Sequence, residues 1–297
     1  MSIENVVQIV PTVAEVAPID ISGTCVLAAF TQGKFSGKKL DRRKSEQLNQ
    51  QNNAERGAAQ VIKDIMDTSR PYIEINSFVQ ANGAKFREMT LPFNAKGQRI
   101  CPNKGLTELQ EFFSEAEVKY WDLQRAVLAD YEDTKVRAKD RLGNLYDEND
   151  FPPISEVAGK YNFVYTYAPF PDTSHFLLDA ANRQHQDIIS KFKNQQAEEL
   201  GNATAYLWGE YKKVLVPLME LPNKTRISDA LLQNAQFFVR QLDRLNVTDN
   251  PEIKLARDFL DKATRGVNMD DIRADESYKK DVAKRASDIL DKFKDNF

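Results

Sequence analysis

Between Thr107 and Leu142 apolar residues recur at steps of three and four: Leu109, Phe112, Phe113, Ala116, Tyr120, Leu123, Val127, Leu128, Tyr131 and Val136. That period lines them along one face of a helix, and at 1.5 Å per residue the segment would reach about 54 Å. A compact domain does not need a helix of this length, so part of it should project or pair with another helix. A second such stretch runs from His175 to about Val216, carrying Phe176, Leu177, Ala180, Ile188, Phe192, Leu200, Leu207 and Val214. Asp172, Thr173 and Ser174 offer caps at its start, and Gly201 and Gly209 offer points at which to bend.

Two long amphipathic helices need a surface to pack on. Tyr161, Phe163, Tyr165 and Tyr167 alternate with Asn162, Val164, Thr166 and Ala168, the period of a strand, and Pro169 and Pro171 end it. The run Gly23 to Thr31 is apolar on both parities, which suits a strand covered on both faces. Phe86 to Asn94 alternates as a third strand, with Pro92 placing it at an edge, and a loop to Gly105 follows. The segment from Leu40 and Asp41 through Asp67 reads as a polar helix with a thin stripe of Leu48, Ala58, Val61, Ile62 and Ile65. Arg70 to Lys85 reads as a short helix, opened by Pro71 and closed by Asn82 and Gly83. Ser228 to Asn246, Pro251 to Arg265 and Glu276 to Phe293 are three further amphipathic helices. The expected fold class is therefore α/β of the α+β kind, predominantly long helices packed on a small antiparallel sheet. Residues 1–20 form an extended N-terminal arm, 21–216 the core with the long helices, and 217–297 a C-terminal helical region set off by Pro217 and Pro222.

Charge excludes one class of partner interaction. The 41 Lys and Arg against 44 Asp and Glu leave a net charge of −3, so no whole-chain field draws the protein to nucleic acid or anionic lipid, and any such binding has to be local. Two cysteines, Cys25 and Cys101, make neither a disulfide framework nor a tetrahedral metal set, and a reducing compartment is the default. The N-terminus lacks a basic leader and its apolar residues are broken by Pro11, Glu15 and Pro18, so neither a signal peptide nor a membrane span is expected there, and the expected location is the cytoplasm.

Local chemistry concentrates in Ile21 to Lys44, where an apolar run leads through a glycine-spaced turn into Lys34, Lys38, Lys39, Arg42, Arg43 and Lys44. It reads as strand, turn and helix start. A phosphate-binding loop fails on spacing: Gln32 stands where the first glycine belongs, and Lys39 replaces the hydroxyl residue that would hold Mg²⁺. The six cations are open to three readings: a solvated helix face, a contact for a protein partner, or a contact for nucleic-acid phosphates. Tyr161, Phe163, Tyr165 and Tyr167 could stack on single-stranded bases, or form one covered face of a sheet. His175 and His185 are not at metal-ligand spacing, and the acidic clusters at Asp147, Glu148 and Asp150 and at Asp270, Asp271, Asp275 and Glu276 lack the glycine of a calcium loop. No catalytic set, metal or cofactor is expected.

The motif Phe35, Ser36, Gly37, Lys38, Lys39 and Leu40, the segment LPFN from Leu91 to Asn94, and the helix around Tyr131 resemble an uncharacterised family of phage and bacterial proteins often encoded beside a MoxR-type AAA+ ATPase and a von Willebrand A-type protein. The resemblance spans residues 22–215 and carries no catalytic residues. It implies a phage or mobile-element protein that works with an AAA+ machine, in the host cytoplasm if phage-encoded. The function expected from sequence is a non-enzymatic binding or assembly protein, able to form homo-oligomers, with a nucleic-acid-binding protein of phage replication or recombination as the alternative.

Overall fold

In a computed structural model, residues 21–171 and 183–297 are described. The elements run β1 (Cys25–Gly33), β2 (Lys38–Asp41), α1 (Arg42–Gln51), β3 (Val61–Asp64), α2 (Arg70–Met89), β4 (Leu91–Pro92), β5 (Arg99–Pro102), α3 (Asn103–Ala129), α4 (Tyr131–Leu142), α5 (Ile154–Ala158), β6 (Asn162–Pro169), α6 (Arg183–Met219), α7 (Ala230–Leu245), α8 (Pro251–Thr264), α9 (Met269–Ala274) and α10 (Glu276–Lys292). The class is the expected one, helix-dominated with a small antiparallel sheet in the order β4-β5-β1-β6 and a separate ribbon of β2 and β3. No described helix is long and apolar enough to cross a membrane.

The chain divides into two compact units that interleave along the sequence. One holds residues 28–90 and 104–167, the other the described residues of 1–27, 91–103 and 168–297. In the first, α3 buries Leu109, Phe113, Ala116, Tyr120, Leu123 and Val127, the stripe read from the sequence. Its core is aromatic: Phe30 lies 4.8 Å from Phe113, 5.0 Å from Phe163 and 5.6 Å from Phe86, ring centre to ring centre. Such edge and tilted contacts suit the ring quadrupoles. In the second unit, Ala203, Leu207, Trp208, Tyr211, Leu215 and Leu218 of α6 face buried residues of α7, α8 and α10, and Leu91 and Ile100 of β4 and β5 belong to the same core. The Tyr211 hydroxyl donates to the Ala256 carbonyl at 2.8 Å, so the polar tip of this buried ring is satisfied.

Several expectations need correction. The segment after Asp41 is a helix only to Gln51. Asn53 (φ 49°) and Gly57 (φ 89°) then take left-handed backbone, and the Asn49 side chain ties the loop by donating to Ala59 O at 3.0 Å and accepting from Ala59 N at 2.9 Å. Val61 to Asp64 pair antiparallel with Lys38 to Asp41 instead of continuing a helical stripe. Asn82 and Gly83 do not end α2: Asn82 is buried and donates to Gln32 Oε1 at 2.9 Å, and the helix runs on to Met89, leaving only Leu91–Pro92 as strand. The following loop contains β5. The Thr107 to Leu142 period spans two helices meeting at Asp130. The start of the second long helix, with His175, lies outside the described residues. The stretch between Arg265 and Glu276, to which the sequence assigned no element, contains the six-residue α9.

Candidate functional site

The cationic stretch is carried by a small module, β2, α1 and β3, held to its unit by a clamped turn. The turn joining β1 to β2 has Phe35 buried as its anchor. Two phenols from different helices grip its backbone: Tyr120 on α3 donates to Gly33 O, and Tyr72 on α2 donates to Ser36 O. The Gly33 amide donates to Asn162 Oδ1 at 3.0 Å. Burial pushes the Tyr120 phenol up to about 12 and raises Tyr72 and Tyr161, so all three remain neutral at ordinary pH. Gly37 sits at φ 61°, and a Cβ there would lie 2.6 Å from the Tyr72 hydroxyl oxygen.

The module's register is set by Ser45, whose hydroxyl donates to Asp41 O at 2.6 Å and accepts from Val61 N at 2.9 Å, bridging the last strand pair. Asp41 also caps α1, accepting from Lys44 N at 2.9 Å. That backbone bond holds the Asp41 carboxyl below its usual range, with help from Lys63 against the opposing effect of burial. Lys63 is the buried charge of the module, 6% exposed. It pairs with Asp41 at 3.5 Å and with Asp150, and donates to Leu145 O at 3.1 Å. Burial opposes its charge, but the two carboxylates outweigh that and raise its pKa.

The six cations named from sequence thus fall in different environments. Lys34 is half-buried and donates to Asn76 Oδ1 at 2.6 Å; burial, and then repulsion from Lys38, lowers its pKa. Lys38 and Lys39 lie in β2 rather than in a helix start, Lys38 exposed and Lys39 opposite Lys63. Arg42 and Arg43 are exposed in the first turn of α1, and Lys44 is half-buried behind them. Among the described residues no carboxylate ion-pairs with Lys38, Lys39, Arg42 or Arg43. Beside Lys38, Leu40 and Ile62 face each other across the ribbon, 45% and 58% exposed. Sequence reasoning passed over this apolar pair because Ile62 was counted into a helical stripe.

The aromatic stripe, which starts just before β6, is covered at one end only, and Tyr167 at the other is 38% exposed. Tyr161 and Phe163 are buried, and Tyr165 stacks on Phe113 at 4.5 Å. Tyr165 and Tyr167 also hydrogen-bond Gln110. Base stacking is closed to the first two rings, and Phe113 occupies one face of the third. The acidic clusters are likewise engaged: Asp147 caps the turn at Glu148–Asp150, Asp150 pairs with Lys63, Asp270 with Arg273, and Asp275 caps α10. Among the described residues no three His, Cys, Asp or Glu side chains converge as metal ligands. A groove along α7 and α8 is lined by Asp243, Arg257, Asp258, Asp261 and Arg265, whose charges pair with one another. No family model, curated protein or solved structure matches the chain.

Proposed function

We propose that the chain is a non-enzymatic binding or assembly protein that engages an acidic protein surface through the β2–α1–β3 module. The observation that carries this reading is the juxtaposition of an exposed apolar pair, Leu40 and Ile62, with cations that ion-pair with no carboxylate among the described residues, Lys38, Arg42 and Arg43. Exposed apolar side chains rimmed by charge suit a protein interface, in which the apolar centre supplies affinity and the charges supply orientation and encounter rate. The tyrosine clamp fits the same reading, since a surface held rigid before binding loses less entropy on association. The resemblance at Phe35 to Leu40 makes an AAA+ ATPase the first partner to try, in a phage or mobile-element setting.

The test is co-purification of the tagged chain with a MoxR-type AAA+ ATPase, followed by titration. Leu40→Ser with Ile62→Ser should weaken binding at least about tenfold, as should Lys38→Glu with Arg42→Glu. Both double variants should melt close to the wild type, because all four side chains are exposed. Equal binding by the variants removes the reading. Nucleic acid is the competing outcome: if phosphates met all six cations, oligonucleotide affinity would fall with salt at a log–log slope of about −5.

A further inference from the structure

Among the described residues the four-stranded sheet has two edges, and they differ in how they are protected. β4 is two residues long and contains Pro92, which has no amide to offer. The separate ribbon is short and carries Lys38, Lys39 and Lys63. Shortness, proline and lysine are the devices by which natural edges avoid pairing with another chain. β6, the other edge, has none of them: NFVYTYAP is eight residues without a charge, and its proline comes last. It offers about 26 Å of ladder. One face is held by Phe113 stacked on Tyr165, while Asn162, Val164 and Thr166 on the other face are exposed, Val164 at 51%.

We propose that β6 pairs antiparallel with β6 of a second copy of this chain, about a two-fold axis near Val164. Charge argues for a second copy as the occupant. An uncharged strand meets no repulsion from itself, whereas an acidic or basic segment would lose hydration there with nothing to pair against. Self-pairing centred on Val164 also sets Asn162, whose Oδ1 accepts from the Gly33 amide, opposite Thr166, and places two β-branched side chains together at the axis. About four to six interchain backbone hydrogen bonds would form, since only residues 162–166 face strand residues of the other copy. The contact is narrow, so the dimer dissociates on dilution. The inference does not depend on the ribbon reading, and the ribbon variants leave the dimer intact.

The experiment is sedimentation equilibrium of the full chain over a dilution series, with Val164→Lys and Val164→Cys beside the wild type. The wild type should double its mass as concentration rises. Val164→Lys should stay monomeric throughout with an unchanged melting curve and circular dichroism spectrum, because it brings two ammonium groups together only in the dimer. Val164→Cys should give a disulfide-linked dimer under mild oxidation, since directly opposed residues have Cα atoms about 5 Å apart, within disulfide reach. Cys25 and Cys101 are buried and do not compete. A wild type that is monomeric at every concentration overturns the proposal. So does a dimer that persists in Val164→Lys, or a dimeric Val164→Cys that does not cross-link.

Discussion

Gly37 combines two constraints, a left-handed backbone at φ 61° and contact with Tyr72 and Met66 where a Cβ would stand, 2.9 Å from Met66 Cβ. Gly37→Ala should therefore destabilise by about 2–4 kcal/mol, summing backbone strain and overpacking. Gly57→Ala, at φ 89° with open space around it, should lose only about 1 kcal/mol, and paired urea titrations separate the two. Lys63 is the second residue on which much rests. Lys63→Met strands Asp41 and Asp150 beside an apolar chain and should lose about 3 kcal/mol by the same measurement. Asp130 accepts from Ser69 Oγ at 2.6 Å and Thr134 Oγ1 at 3.0 Å and pairs with Arg137 at 2.8 Å. Burial raises its pKa, but these partners outweigh it and the net shift is downward. A carboxyl lowered by folding contributes stability that is present above its unfolded value, near 3.9, and lost as pH falls through the folded one. The melting-temperature gap between wild type and Asp130→Asn should therefore narrow as pH drops below about 4. Asp67, raised chiefly by burial, acts in the opposite sense and blunts the fall in the wild type.

At the scale of elements, the ribbon depends on a single hydroxyl. Ser45 links Asp41 O, the N-cap carbonyl of α1, to Val61 N, so its removal deprives the first amide of β3 of this partner. Ser45→Ala should cost about 1–2 kcal/mol locally and speed hydrogen exchange at Val61 by about tenfold, while exchange in α3 stays unchanged. The pairing of β2 with β3 was not legible in sequence for the same reason. Val61, Ile62 and Ile65 fall at helical steps from Leu48 and Ala58, and nothing local distinguishes that coincidence from a real stripe. The helix ends where Asn53 and Gly57 take left-handed backbone and Asn49 holds Ala59, ten residues on. By contrast α3, α7, α8 and α10 were readable, because their periodicity, caps and proline positions lie within each element. The break between α3 and α4 falls at Asp130, whose carboxylate is tied to Ser69, the N-cap of α2.

For the whole molecule, interleaving has a consequence that can be measured. Leu91, Phe93 and Ile100 enter the same core as α6 to α10, although the latter lie in a continuous C-terminal stretch. A fragment of residues 168–297 should keep helical circular dichroism but bind a hydrophobic dye and melt without a sharp transition, since its core lacks those side chains. Cooperative melting of that fragment would contradict this. Neither unit can be cut out as one continuous segment, since each is built from separated stretches of chain.

The sequence by itself determined the helix-dominated class, the β6 alternation, the long helical stripes and the cluster of cations, because each of these is written in spacing over one or a few turns. It also located the GKFSGKK turn as chemically distinctive. Tertiary structure decided that Lys38 and Lys39 lie on a strand, that Lys63 is a buried counter-ion, that Leu40 meets Ile62 on an exposed ribbon face, and that three tyrosines gather around the turn. Those outcomes depend on strand partners and side-chain contacts far apart in the chain, which only the folding of residues 28–90 and 104–167 into one unit brings together.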